Sequence, residues 1–288
     1  MSSLLRHPRG LPMVAAAAAI ALGLVLLAAA AADARRQATT IRLVATMNAP
    51  SEVPAPTGDV SAARGAFTAT VTQAGAGAAL RWQMTFTGLT GFGTAAHIHI
   101  AGRGQPGPVS VPLCGPCPSP ASGSADIDAT VLAALQTGGA YVNVHTDRNR
   151  AGEIRGQLGV AAALRSALTV RQEVPKPKGN VGRARGSFVA TVTKEGTTGS
   201  LTWRLTFSRL TGRALAAHIH IGRTGRAGPV AVGLCGPCRS GQRGSAVLNA
   251  ATLAALEAGR AYVNVHTRQN AAGEIRGQLP AAAFRISS

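Results

Sequence analysis

The chain repeats itself, and the repeat limits what it can fold into. Ala95-Ala-His97-Ile-His99-Ile, Tyr141-Val-Asn143-Val-His145-Thr and Gly152-Glu153-Ile-Arg155-Gly-Gln157-Leu return 121 residues later as the segments holding His218, His220, Tyr262, Asn264, His266, Glu274, Arg276 and Gln278. Cys114 and Cys117 return as Cys235 and Cys238. A period of 121 in 288 residues calls for two similar domains, each long enough to bury its own core. Six of the seven histidines and all four cysteines lie inside the copies, so the polar chemistry of the chain is concentrated there.

The amino terminus reads as an export signal. Arg6 and Arg9 precede an apolar run from Leu11 to about Ala32, and Ala32-Asp33-Ala34 stands before Arg35-Arg36. Residues 1–34 are expected to be a signal peptide with the mature chain starting near Arg35. The alternative is an uncut anchor, since about twenty apolar residues can span a bilayer; Pro12 and the alanine-rich run favour cleavage. Repeat 1 is expected over 38–159, repeat 2 over 160–280 and a tail over 281–288. The short connection Gly159 to Ala163 should bring the repeats into contact. The expected location is secreted or on the exterior of the cell envelope, with no membrane contact beyond the N-terminal segment.

From Thr40 onward, short runs alternate apolar and polar residues and end at Gly, Pro, Asn or Asp, which is a strand code. Ile41 to Met47 puts Ile41, Leu43, Ala45 and Met47 on one face. Glu52-Val53-Pro54 and Glu173-Val174-Pro175 read as turns. Ala66 to Thr72 and Ala79 to Thr87 form an expected hairpin through Gly75-Ala-Gly77, with Trp82, Met84 and Phe86 facing the core, as Trp203, Leu205 and Phe207 do in the second copy. Pro108 to Leu113 is a short strand entering the cysteine loop. One helix per copy is signalled, over Asp128 to Gln136, with Asp128 as cap and Gly138-Gly139 as stop; Asn249 and Gly259 do the same later. The fold class is all-β: two tandem antiparallel Greek-key sandwiches, each with one short helix.

Each cysteine pair is a Cys-Gly-Pro-Cys. In an exported chain this reads first as a local disulfide, with a pair of thiolate metal ligands and redox chemistry as the other readings. A thioredoxin motif opens a helix, whereas Pro118-Ser-Pro120 and Arg239-Ser-Gly follow here. The formal charge is +18 and is uneven: residues 160–288 carry 18 Lys and Arg against 4 Asp and Glu. An anionic cell-surface polymer is therefore one expected partner, through residues such as Arg223, Arg226, Arg239 and Arg243, beside an unknown protein partner. Nucleic acid is not expected, with ten aromatic residues and no stacking motif. There is no nucleophile elbow, phosphate-cradling glycine loop or calcium loop.

In a strand, residues i and i+2 share a face. With Ile98, Ile100, Val142, Val144, Ile154 and Leu158 turned to the core, His97 and His99 go together to the other face. So do Tyr141, Asn143 and His145 on a second strand, and Glu153, Arg155 and Gln157 on a third. Three imidazoles from neighbouring strands suit a copper or zinc ion. The same imidazoles would equally serve as hydrogen-bonding ties to Glu153, Asn143 and backbone. No cofactor follows with certainty; copper or zinc on His97, His99 and His145, and on His218, His220 and His266, is the metal expectation. Glu153 could serve as a general base or equally be the partner of Arg155.

Ala-His-Ile-His-Ile, Gly-Arg-x-Gly-x-x-Gly-Pro-Val, Leu-Cys, Tyr-Val-Asn-Val-His-Thr and Gly-Glu-Ile-Arg-Gly-Gln-Leu together resemble the chordin-type (CHRD) domain, present as a tandem pair nearly end to end. The resemblance implies an exported binding or structural protein; animal chordins bind secreted growth factors. More distantly the pattern is similar to copper–zinc superoxide dismutases, which are Greek-key β-sandwiches. That likeness would make His97, His99 and His145 copper ligands, and Arg155 and Arg276 the guanidiniums that attract an anionic substrate. No histidine lies between His99 and His145, so the bridging and fourth copper ligands of that family have no counterpart.

Overall fold

A computed structural model describes residues 40–74 and 77–285. The expected N-terminal signal and the tip of the Gly75-Ala-Gly77 turn lie outside the described residues. Repeat 1 runs β1 (Thr40–Asn48), β2 (Arg64–Ala74), β3 (Gly77–Thr87), β4 (Gly93–Ile100), β5 (Val109–Cys114), β6 (Ala121–Ile127), α1 (Ala129–Thr137), β7 (Ala140–Thr146) and β8 (Ile154–Gln157). Repeat 2 runs β9 (Gly159–Thr169), β10 (Arg185–Glu195), β11 (Thr198–Ser208), β12 (Ala214–Ile221), β13 (Val230–Cys235), β14 (Gln242–Leu248), α2 (Ala250–Glu257), β15 (Ala261–Thr267) and β16 (Ile275–Gln278).

Every strand pairing is antiparallel, and each repeat is a β-sandwich with one short helix. In the first repeat one layer is β6-β3-β2-β1 and the other β5-β4-β7-β8. β1 stitches the layers at its end, where Asn48 pairs with Arg155 of β8. Its alternation holds: Leu43, Ala45 and Met47 are buried while Arg42 and Thr46 are exposed. The space between the layers is filled by Phe67, Val71, Leu80, Trp82, Met84, Ile98, Val142, Val144, Ile154 and Leu158. Phe67 and Trp82 stack at 6.4 Å between ring centroids, as Phe188 and Trp203 do in repeat 2.

The helix signals hold as well. Asp128 accepts from the Val131 amide at 2.8 Å, and Gly138 closes α1 in the left-handed conformation at φ 72°. Asn249 caps α2 through the Thr252 amide.

The Gly159–Ala163 connection is not a loop but the first part of β9. Its residues 159–161 pair with 42–44 of β1, so β6-β3-β2-β1-β9-β10-β11-β14 is one continuous layer through both repeats. The register, carried one step further, sets Ile41 opposite Ala162, its own counterpart in the other repeat. The repeats therefore meet about a local two-fold and form one compact unit over the described residues.

Candidate metal centre

The register of β4 on β7 assembles the histidines. His97 lies opposite Asn143, His99 opposite Tyr141, and Ala95 opposite His145, which makes His145 the diagonal neighbour of His97 on the same face. His97 Nδ1 is 3.1 Å from His145 Nε2. His99 Nδ1 is 2.9 Å from the Gly107 carbonyl and His145 Nδ1 is 2.9 Å from the Arg150 carbonyl. A carbonyl only accepts, so both Nδ1 atoms carry hydrogen and both Nε2 atoms carry the lone pair. His99 Nε2 is buried with no hydrogen-bond partner. One nitrogen from each of the three rings can be chosen so that all lie within 4.8 Å of one another. His97 and His145 are half-buried, so the cluster opens toward solvent on their side.

Repeat 2 reproduces this arrangement. His218 Nδ1 is 3.0 Å from His266 Nε2, His220 Nδ1 is 2.9 Å from the Gly228 carbonyl, and His266 Nδ1 is 2.9 Å from the Ala271 carbonyl. His220 Nε2 is again buried and unpartnered. Burial pushes His97, His145, His218 and His266 below the ordinary imidazole range, and the neighbouring imidazoles push the same way. At neutral pH these four rings are uncharged, as metal ligation requires.

The remaining face is not the open surface that alternation alone suggests. Tyr141, Asn143, Glu153, Arg155 and Gln157 are buried, at 5% exposure or less. The chain of residues 101–107 folds across them. Arg155 donates to the Gly102 carbonyl at 3.0 Å, Gln157 to the Ala101, Gly138 and Ala140 carbonyls, and the Gly107 amide to Tyr141 Oη at 3.3 Å. His99 stacks on Tyr141 at 4.8 Å and an interplanar angle of 6°. The Arg155 guanidinium lies 3.3 Å from the centre of the same ring. Since β7 runs between β4 and β8, imidazole, phenol and guanidinium form a three-layer stack. Tyr262 is placed alike between His220 and Arg276.

Two expectations are corrected here. Arg155 and Arg276, each 1% exposed and screened from the histidines by a tyrosine ring, cannot meet an anion arriving from solvent. Nor is Arg155 the partner of Glu153. The Glu153 carboxylate accepts from the Thr90 amide and hydroxyl at 2.6 Å each, the Thr146 hydroxyl at 2.7 Å and the Asn149 side-chain amide at 3.1 Å. Burial alone would raise its pKa; these bonds outweigh burial and hold it below the usual carboxylate range. Glu274, Thr211, Thr267 and Asn270 repeat the cage, with Glu274 shifted the same way.

The acid that faces Arg155 is Glu52, buried in the Glu-Val-Pro turn; in repeat 2 Glu173 faces Arg276. Burial raises both carboxyls, to about 7 for Glu173, against the pull of the following amide, the arginine and the neighbouring asparagine. Glu52, Thr90, Thr146 and Asn149 thus belong to the site without being singled out by sequence pattern. The signal was present: all four recur at the 121-residue spacing.

The cysteines are joined as Cys114–Cys117 and Cys235–Cys238, the local disulfides expected first. The Cys117 amide donates to the Gly93 carbonyl at 2.9 Å and the Cys238 amide to the Ala214 carbonyl at 3.0 Å, so each loop is tied to the start of its histidine strand.

Fold and site together define a tandem β-sandwich protein with one trihistidine cluster per sandwich. The CHRD domain model matches residues 43–158 and again 164–279, and the chain belongs to the CHRD-domain family as a tandem pair. No curated protein and no solved structure matches the chain.

Proposed function

We propose that this is an exported binding or structural protein of two CHRD domains, each holding one copper or zinc ion on three imidazoles. The ligands are His97, His99 and His145 in repeat 1 and His218, His220 and His266 in repeat 2. The observation that carries the reading is the buried, unpartnered Nε2 of His99 and of His220, whose other ring nitrogen is held by a backbone carbonyl. That carbonyl bond is the outer-shell support metal-bound histidines ordinarily have. Spacing supports it too. Two nitrogens bound at 2.0–2.1 Å sit about 2.9 Å apart as square-planar neighbours and about 3.3 Å apart as tetrahedral ones; His97 Nδ1 and His145 Nε2 are 3.1 Å apart. A bound ion would keep a position toward solvent, since His97 and His145 are only half-buried. Export is supported by the basic-apolar N-terminal pattern and by two disulfides.

The test is elemental analysis of the mature protein recovered from an oxidising compartment, repeated with His97, His99, His218 and His220 changed to Ala. About one copper or zinc per repeat, lost in the variant, is expected. A metal-free wild type that also takes up neither ion on titration, with the variant losing only thermal stability, would make the histidines structural ties.

A further inference from the structure

Repeat 2 carries a cavity lined by arginines that have no basic counterpart in repeat 1. It measures about 400 Å3 and lies where β11 ends beside the disulfide loop, lined by Phe207, Ser208, Arg209, Leu210, Gly212, Arg213, Ala214, Cys238 and Arg239. At the equivalent positions of repeat 1, Arg209, Arg213 and Arg239 are Gly88, Phe92 and Pro118. Arginine thus stands at three positions where repeat 1 has three unrelated residues, two in the β11–β12 connection and one after the disulfide loop, around one cavity.

Arg209 is the more telling because its backbone resists it. It has φ 58°, the left-handed region that Gly88 occupies in repeat 1 at φ 69°, and it is the one non-glycine residue with positive φ among the described residues. A side chain kept in that region is better explained by what its end does than by local folding. Among the described residues none of the three guanidiniums has a carboxylate partner. Of the four acids in repeat 2, Glu195 pairs with Arg103, Glu257 pairs with Lys194, and Glu173 and Glu274 are buried, one facing Arg276 and the other caged by Thr211, Thr267 and Asn270.

The positive surface continues along the sheet. Arg204 and Arg243 lie directly opposite each other on β11 and β14, and Arg165 stands in the same row beyond Val189. All three are exposed, where repeat 1 has Gln83, Ser122 and Val44. Like charges directly opposed weaken a strand pair. At strand spacing the row spans about 14 Å, and it begins about 10 Å along the strands from the cavity.

We propose that this cavity binds a phosphate or sulfate group of a linear anionic polymer of the cell envelope, with the Arg165–Arg204–Arg243 row taking the next charges along the chain. Three guanidiniums lining one cavity offer forks enough for a tetrahedral oxyanion, whereas a carboxylate occupies one. A cavity of this volume admits a sugar unit with its charged group, and Phe207 offers that unit an apolar wall. The site is independent of the metal reading and stands or falls separately from it.

The experiment uses the mature two-repeat protein with dextran sulfate and linear inorganic polyphosphate as probes and neutral dextran as blank. Arg209, Arg213 and Arg239 are changed together to Gln; a control changes Arg226, Arg260 and Arg268, exposed arginines of the same repeat elsewhere, together to Gln. Binding to both charged polymers is expected to weaken about tenfold or more in the first variant and about twofold or less in the control. The slope of log affinity against log salt should fall by about two in the first variant alone. A further variant with the repeat 1 residues, R209G, R213F and R239P, should bind as weakly as the first while keeping the fold that repeat 1 already shows is compatible with them. Equal loss in the two triple variants would overturn the proposal in favour of overall charge. Absence of binding to either polymer, or binding only to vesicles of phosphatidylglycerol, would overturn it as well.

Discussion

Glu153 offers the sharpest quantitative test of the polar interior, through the isosteric change Glu153→Gln. Its carboxylate accepts four hydrogen bonds at 2.6–3.1 Å and is fully buried. Bonds to a charged group contribute about 1.5–3 kcal/mol each and neutral ones about 0.5–1.5, so discharging the acceptor costs about 1 kcal/mol per surviving bond. In the least costly orientation the new amide nitrogen replaces Oε2. The Thr90 and Thr146 hydroxyls can then turn and accept, while the Asn149 side-chain amide loses this bond and keeps the one to the Thr57 carbonyl, for about 1 kcal/mol more. Three surviving bonds and one lost give about 4 kcal/mol; relief of burying a charge returns about 1, leaving about 3 kcal/mol. For a unit of this size that is about 6–12 °C in Tm. The assay is urea and thermal unfolding of wild type and variant across pH. Because the folded-state pKa of Glu153 is depressed, its contribution is present above the unfolded carboxylate value near 4.5 and is lost as pH falls through the folded value. The gap between the two proteins should therefore be widest at neutral pH and close in acid. A gap under about 1 kcal/mol at pH 7, or one that ignores pH, would refute the reasoning.

Other consequences can be checked on the same protein. Glu173, pushed up to about 7, weakens the fold as pH rises from its unfolded value of 4.5 through 7; Glu173→Gln should be less stable than wild type at pH 5 and should close or reverse that deficit at pH 8 in urea titrations. Gly152→Ala puts a methyl 2.8 Å from Asn143 Nδ2 and against the Glu52 carboxylate at φ 135°, and should cost about 3 kcal/mol or more; Gly58→Ala, at φ 84° in open space, should cost about 1. Replacing Cys114 and Cys117 with Ser removes a four-residue loop closure and should cost about 2 kcal/mol by the same assay. Below pH 6.5, protonation of His97, His145, His218 and His266 should oppose both folding and metal retention, seen as metal release in equilibrium dialysis at pH 5 that reverses at pH 7.

Alternation placed the apolar residues correctly because it is a local property. Ile98, Val142, Val144, Ile154 and Leu158 all reach the core assigned to them, and the caps at Asp128 and Asn249 act within three residues. What alternation cannot state is which strand lies beside which, or what lies over a face. His145 comes to His97 only through the β4–β7 register. Tyr141, Arg155 and Gln157 become interior because residues 101–107 cross them and offer carbonyls and an amide at the right depth. Glu153 and Arg155, two residues apart in sequence, look like natural partners. In the fold each goes to a different part of the chain, Glu153 to Thr90 and Asn149, Arg155 to the Glu52 side.

Duplication by itself does not separate a ligand site from a structural tie. A buried polar network resists piecemeal change, because each partly satisfied intermediate leaves a donor or acceptor stranded. Surface positions drift freely, as the exposed Asp147 and its counterpart Arg268 show, so both kinds of site would survive duplication while the exterior diverged. The separating evidence is what each network leaves over. Glu52 Oε2 and Arg155 Nη1 lack hydrogen-bond partners, but their groups offer each other opposite charge. His99 Nε2 has no such company. It is a buried lone pair whose neighbours are two more imidazoles, and the same atom is left over in His220. Asn143 Oδ1 and Asn264 Oδ1 are left over in both repeats as well, so a stranded acceptor does not by itself mark a ligand; what sets His99 and His220 apart is that the free nitrogen stands beside two further imidazoles, the arrangement the proposed ion would use.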